Sequence, residues 1–402
     1  MKAEWGVGIV EAELSAPVAT DATRRSMNYA RAFYGLMFGA AVFLGPFLAL
    51  YYSELGFTGR QIGVLRGIAP LVGVVSVPLW GALADMSGRH RLLRLVAVAG
   101  SWLAVIGIVR TTGYAGLMGL VVVNAAFHAP VVPLVDNAVL GLLGERRDEY
   151  GRLRMWGAVG WGIGAIVAGL VADRFGVVWS FGGYLILFAG TGLTTLGLPA
   201  GEMQKARGIF ATDLRRLLAD RRWRLFLLVM LVGTFYHTMQ IHYLFIYLET
   251  LGIRKSLMGL GLTLATLGEL PVWALTPRLL RRWGPRRLIA LGFLSAAIQG
   301  LVYATMPPTW LALGIQVLHG FTFAGMWAGG IAYVTRVTPQ GVRATAQGIY
   351  SITVMGVSST VSALVAGWLL DEIGGARTFG LGGLVALISV VAALKLPKPV
   401  ER

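Results

Sequence analysis

The apolar residues of this chain come in twelve long runs, each closed by a short polar or basic stretch. The runs are Tyr29–Tyr52, Gln61–Asp85, Leu92–Val109, Ala115–Leu140, Trp156–Val171, Val178–Leu198, Leu225–Leu248, Leu257–Leu280, Leu288–Thr305, Trp310–Thr335, Ala346–Leu370 and Phe379–Leu396. A bilayer's hydrocarbon core, about 30 Å thick, takes about 20 apolar residues per helix, so each run predicts a membrane-crossing helix. The expected fold class is an all-α membrane protein with twelve spans.

The pattern also repeats. GALADMSGRHRL from Gly81 aligns with PRLLRRWGPRRL from Pro277 at an offset of 196, and VAGLVADRFG from Val167 aligns with VAGWLLDEIG from Val365 at an offset of 198. Two separate pairs at nearly one offset predict duplicated six-helix halves, which in transporters enclose a cavity and rock against each other. The expected division is an N-terminal tail over residues 1–26, a six-helix bundle over 27–198, a charged linker over 199–224, a second bundle over 225–397 and a short tail over 398–402.

Composition agrees with this reading. Of 402 residues 56% are hydrophobic and 13% charged, with a mean hydropathy of +0.69, too little polar surface for a dispersed globular protein. The formal charge of +16 could suggest nucleic acid, but its placement argues otherwise. With the N-terminus inside, all but seven of the 35 lysines and arginines fall in cytoplasmic stretches, the exceptions being Arg60, Arg66, Arg110, Arg174, Arg254, Lys255 and Arg377. That bias places both termini in the cytoplasm, and no nucleic-acid partner is expected. Glu4, Glu11, Glu13 and Asp21 interrupt the N-terminal stretch, which reads as a cytoplasmic tail and not a signal peptide. The absence of cysteine excludes disulfides, thiolate metal sites and a cysteine nucleophile.

Ionisable groups within the spans mark candidate chemistry, since each costs at least ~2.5 kcal/mol at the centre of a helix. Glu269, in TLGELPVW, lies deep in the eighth run; His237 lies as deep in the seventh and His319 in the tenth. A buried carboxylate must find a cation, share a hydrogen bond or take up a proton. Asp136, near the inner part of the fourth run, and Arg154, at the start of the fifth, can meet across an antiparallel hairpin; otherwise Arg154 snorkels and Asp136 caps a helix end. In YGRLRMWGAVGW, from Tyr150 to Trp161, glycines at three- and four-residue spacings form a smooth face for close helix packing. Trp161, seven residues after Arg154, shares its side of the helix. A guanidinium fork and a flat indole on one face can hold a hydroxylated ring. Arg66 is open between a gate contact and snorkelling.

Gly81, Asp85, Gly88, Arg89 and Arg91, between the second and third runs, resemble the signature loop of the major facilitator superfamily, a tight turn whose charged groups can latch neighbouring helix ends. Met86 stands where a basic residue is usual, and the second copy has Arg281 in place of the aspartate. GRLRMWGAVGW is similar to the fifth-helix start of lactose permease and its oligosaccharide:proton symporter relatives, as is the Asp136-to-Arg154 interval. The resemblance implies that Asp136, Arg154 and Trp161 hold a sugar, and that Glu269 and His319 serve substrate binding and proton coupling, with Asp136 in the same circuit. Thr322 and Ala297 depart from the permease, while PVVPLVDNA, QVLHGFTF, LGELPVWAL and His237 resemble the sister group of the 3-phenylpropionate transporter.

The expected function is a secondary transporter moving a small organic solute by alternating access, as a proton symporter; the alternative is a drug or metabolite:proton antiporter working outward. The expected solute-binding residues are Asp136, Arg154, Trp161, His237, Glu269 and His319. A sugar would use Asp136, Arg154 and Trp161; an aromatic acid would use Arg154 with walls from Tyr236, Tyr243, Trp161 or Trp327; nucleosides come third. No HExxH or GxSxG string occurs and the five histidines are scattered, so no enzyme, metal or cofactor is expected. A sensor would normally append a signalling domain, for which neither terminus is long enough. The expected partners are the solute, protons and the lipid bilayer, for a monomer in a bacterial-type inner membrane.

Overall fold

A computed structural model describes residues 21–146, 149–200 and 211–398. Residues 1–20 of the expected N-terminal tail, 201–210 of the expected linker and 399–402 of the expected C-terminal tail lie outside the described residues. Among those described there are helices and turns but no strand.

The N-terminal half contains α1 (Asp21–Glu54), α2 (Gly59–Ser87), α3 (His90–Arg110), α4 (Tyr114–His128), α5 (Val131–Leu143), α6 (Tyr150–Phe175) and α7 (Val177–Leu196). The C-terminal half contains α8 (Ala211–Ala219), α9 (Arg221–Gly233), α10 (Phe235–Thr250), α11 (Lys255–Ala304), α12 (Thr309–Gly314), α13 (Met326–Val337), α14 (Arg343–Ser351) and α15 (Ser359–Leu394). Among the described residues, ten helical stretches are long and apolar enough to cross a membrane. Two of them, of 50 and 52 residues, are about twice the length a bilayer needs. Each is broken at a glycine in a left-handed conformation, Gly284 (φ 72°, ψ 170°) and Gly374 (φ 77°, ψ 168°). Only glycine takes that backbone freely, and both breaks fall between predicted runs.

Helix ends run past the apolar runs. α1 begins at Asp21 and α6 at Tyr150, several residues before their predicted spans, because polar residues extend a helix freely once it leaves lipid. Arg154 therefore sits inside α6, one turn from its start. The fourth run is split, α4 ending at His128 and α5 starting after Pro130. Part of the charged linker is helical, as α8 and the start of α9.

The glycines of YGRLRMWGAVGW bring α6 against α1. A Cβ at Gly157 would stand 2.6 Å from Phe38 Cδ2, one at Gly164 would stand 3.0 Å from Gly39 O, and one at Gly160 would strike Gly35 O. Gly160→Val should accordingly drive the helices apart and lower the melting temperature of the purified protein by several degrees, at about 1–3 kcal/mol for overpacking. An unchanged melting temperature would show that the contact is slack.

Helices of both halves run between two faces. One, the basic face, carries the arginine-rich loop 88–91, the end of α5 and the start of α9; the other, the far face, carries the starts of α2 and α11. At the basic-face turn Gly88 is left-handed (φ 63°, ψ 5°) and closes α2. Asp85 makes no hydrogen bond or ion pair among the described residues, and the Arg89 N–H donates to Ser87 Oγ (3.2 Å). The Gly81, Asp85, Gly88, Arg89, Arg91 loop is thus a tight turn whose carboxylate is unlatched in this conformer. By contrast, every hydrogen bond and ion pair between the halves, among the described residues, lies between mid-depth and the far face.

Candidate functional site

Two groups of polar residues stand out, one in each half. In the first, the α4–α5 break and the start of α6 place Asp136 and Arg154 together, with Arg154 Nη1 donating to Asp136 Oδ2 at 3.0 Å. Tyr34 Oη, from α1, donates to the other carboxylate oxygen at 2.6 Å. Arg154 Nη1 also donates to Tyr150 Oη at 2.7 Å, one turn earlier on its own helix. The guanidinium lies 5.8 Å from the Phe38 ring centre and 6.0 Å from that of Tyr150, so aromatic faces hold it in place. Its side chain stays 43% exposed against 21% for Asp136, and Nε and Nη2 make no hydrogen bond among the described residues. The pair is neutral overall, with donors left over on its open side.

In the second group, Glu269 Oε1 and His319 Nε2 are 3.7 Å apart, just beyond direct hydrogen-bond range. The His237 and His319 rings are 5.2 Å apart, and His237 stacks on Phe323 at 5.4 Å with planes 15° apart. Phe323 continues the column to Trp327 at 6.3 Å. Both ring nitrogens of His237 and Nδ1 of His319 are buried without a hydrogen-bond partner among the described residues. Two glycines set the Glu269–His319 approach. A Cβ at Gly268 would stand 3.0 Å from the Val317 carbonyl carbon, and one at Gly320 would stand 3.0 Å from Glu269 N. His319 is flanked by a 3-10 turn, Ile315–Leu318, and a π-helical turn, Phe321–Gly325, so the helix is irregular on both sides of it.

The residues singled out in the sequence thus fall into two clusters, Asp136 with Arg154 and His237 with Glu269 and His319. Trp161 is half-buried two turns along α6 from Arg154, and no ring contact joins it to either cluster. Of the proposed aromatic walls, Trp327 lies in the C-half column, whereas Tyr243 donates to Ala363 O (2.5 Å) in the seam between α10 and α15. Sequence reasoning missed Tyr34 and Phe38. Nothing in an apolar run distinguishes a tyrosine facing a carboxylate from one facing lipid. Tyr150 was legible in principle, four residues before Arg154 on one helix face. Arg66 is a contact between the halves, with Nη1 donating to Gly45 O at 3.0 Å and Nη2 to Ile241 O at 3.4 Å. An apolar groove of 860 Å³ along α1, α6 and α7, lined by Gly35, Gly39, Phe43 and Trp179 among others, holds none of the ionisable site residues.

Ten helical stretches of membrane-crossing length with a polar cluster in each half fit a membrane transporter. The chain belongs to the family described as MFS_1 like family, whose model matches residues 28–381. It is 28% identical to a maltose permease of Geobacillus stearothermophilus over 91% of this chain and 93% of that one. It is 25% identical to a probable 3-phenylpropionic acid transporter of Escherichia coli strain K12 over 92% of this chain and 96% of that one. Among solved structures the nucleoside transporter NupG matches with a TM-score of 0.80 at 16% identity, covering 94% of this chain and 99% of that one. A D-xylose–proton symporter matches with a TM-score of 0.67 at 15% identity, over 93% and 98%. At such identities the structural matches establish the fold. The resemblance to the lactose-permease-like branch is borne out at the level of the family.

Proposed function

We propose that the chain imports a small, uncharged, polyhydroxylated solute, a sugar or a nucleoside, together with protons by alternating access. In this reading the breaks at Gly284 and Gly374 make twelve crossings, arranged as two six-helix halves. Both termini lie in the cytoplasm of a bacterial cell whose inner membrane holds the protein. The basic face is then cytoplasmic and the described conformer is closed toward the outside.

One observation carries the solute class: Arg154 is already paired with Asp136 while keeping Nε and Nη2 free on an exposed side. A carboxylate solute on that free edge would set a second anion beside Asp136 and leave the cluster net negative. A hydroxyl needs only the spare donors and the Asp136 and tyrosine oxygens, and it leaves the pair neutral. In the C-terminal half the His237–Phe323–Trp327 column offers a flat apolar face for ring C–H groups or a planar base, and the imidazole nitrogens offer hydrogen bonds. Glu269 and His319 are the proton-handling pair. Trp161 stays within the proposed site as a wall further along α6. The names of the maltose and nucleoside relatives support this class, and that of the 3-phenylpropionic acid relative supports the acid.

A thermal-shift panel on detergent-purified protein with disaccharides, ribonucleosides and aromatic carboxylates decides between them. A ligand at 100 times its Kd stabilises the folded state by about 2.7 kcal/mol, so the right class raises the melting temperature. Shifts are expected with neutral hydroxylated compounds. A shift confined to the carboxylates would overturn the reading.

A further inference from the structure

The repeated strings VAGLVADRFG and VAGWLLDEIG play no part in the solute site. They lie in the two seams where the halves touch, α15 against α2 and α6 against α11, and the seams match rung for rung. At the deepest rung Thr360 Oγ1 donates to Gly67 O (2.9 Å) and Thr263 Oγ1 donates to Gly162 O (2.8 Å). Residues 67 and 263 are related by the offset of 196, and residues 162 and 360 by that of 198. In the middle rung a Cβ at Gly63 would stand 2.5 Å from Ala363 O, and one at its counterpart Gly259 would strike Ala165 O, the counterpart carbonyl.

The outermost rung is built on the aligned aspartates. Asp371 Oδ1 accepts from the Gly59 N–H at 2.6 Å and Oδ2 from the Arg60 N–H at 2.9 Å. A helix start leaves its first N–H groups without partners. α2 serves two of them itself, through Thr58 Oγ1 to the Gln61 N–H (3.3 Å) and Gln61 Oε1 to the Thr58 N–H (3.0 Å). Asp371, from the other half, serves Gly59 and Arg60, so the first turn of α2 is fully capped only while the halves touch. Asp173, at the matching position, takes Arg254 Nε (3.1 Å), Arg254 Nη2 (2.7 Å) and Ser256 Oγ (2.9 Å) from the start of α11. Arg60 with Glu372, and Lys255 with Glu54, pair beside them.

We infer that Asp173 and Asp371 are matched latches that hold the far face shut, each carried by one half and closing on the first turn of a helix in the other. The inference rests on the rocking of the two halves proposed above. Opening outward must break both latches and uncover the N–H groups of α2, so neutralising either aspartate shifts the balance toward the outward-open form.

Because the chain has no cysteine, spin labels can be placed at will. Thr112→Cys and Thr305→Cys put one label on an exposed far-face position of each half, and pulsed electron resonance reads their separation. Asp173→Asn and Asp371→Asn should each raise the ratio of the long-distance to the short-distance population about fivefold. The double variant should raise it about twenty-five-fold, since independent caps multiply. Each single variant keeps one latch, so the test survives if the double variant does not purify. Gly63→Val and Gly259→Val, whose added Cβ atoms meet backbone, separate two kinds of failure. If the valines lengthen the distance and the asparagines do not, the latch assignment is wrong while the rocking stands. If neither set lengthens it, the rocking reading falls as well.

Discussion

Replacing Arg154 with lysine should weaken solute binding about 10- to 100-fold while leaving the fold intact. An ammonium keeps the charge and can still pair with Asp136, but it is a point donor without a planar fork. In the wild type Nη1 holds both Asp136 and Tyr150 while Nε and Nη2 remain for the solute. Lysine has one nitrogen for all of these partners, and its flexible stem cannot fix the direction of the donors. Charge-assisted hydrogen bonds contribute about 1.5–3 kcal/mol each, and about 1.4 kcal/mol is tenfold in Kd, which sets the range. Titrating the best ligand of the thermal-shift panel by calorimetry on both proteins checks it. Equal affinities would remove Arg154 from the solute and leave it a structural partner of Asp136.

Glu269→Gln should abolish uphill accumulation while preserving exchange of solute across the membrane. The carboxamide matches the carboxylate in size and still hydrogen-bonds, so packing at the Gly268–Gly320 crossing is retained. What it loses is a proton that can be gained and released. Glu269 stands 3.7 Å from His319 and about 21 Å along α11 from its far-face end, deep in the span where an exchangeable charge is costly to keep and hence useful to couple. One proton moving through 100 mV supplies about 2.3 kcal/mol, or about a 50-fold concentration ratio. In proteoliposomes with an imposed potential, wild type should approach such a ratio and the variant should stop at equal concentrations. Retained accumulation with proton entry would move the coupling group elsewhere, and loss of exchange as well would mean that Glu269 serves binding first.

The glycine spacing in YGRLRMWGAVGW correctly indicated a close helix contact, because a missing Cβ is visible in any sequence. The partner helix, α1, was not visible. The run boundaries located the turns but misplaced helix ends by several residues at α1 and α6, where polar residues continue the helix into water. His237, Glu269 and His319 stood out because ionisable groups are rare in lipid. Tyr34, Phe38 and Phe323 did not, since an aromatic residue in a span is unremarkable until its neighbour is known.

The chain's sequence by itself determined that the protein lives in a membrane, where its long helices turn, that two pairs of strings repeat at nearly one offset, and which few residues carry charge at depth. These follow from run length, the offset repeat and the cost of charge in hydrocarbon, all of which act along the chain. The tertiary structure alone decided which faces meet: Asp136 and Arg154 under Tyr34, His237 stacked beside His319, and Asp173 and Asp371 closing on helices of the opposite half. In water a helix's buried face is marked by its apolar stripe. In lipid both faces are apolar, so the hydropathy pattern holds no record of which side turns inward, and packing of small residues and polar contacts chooses it.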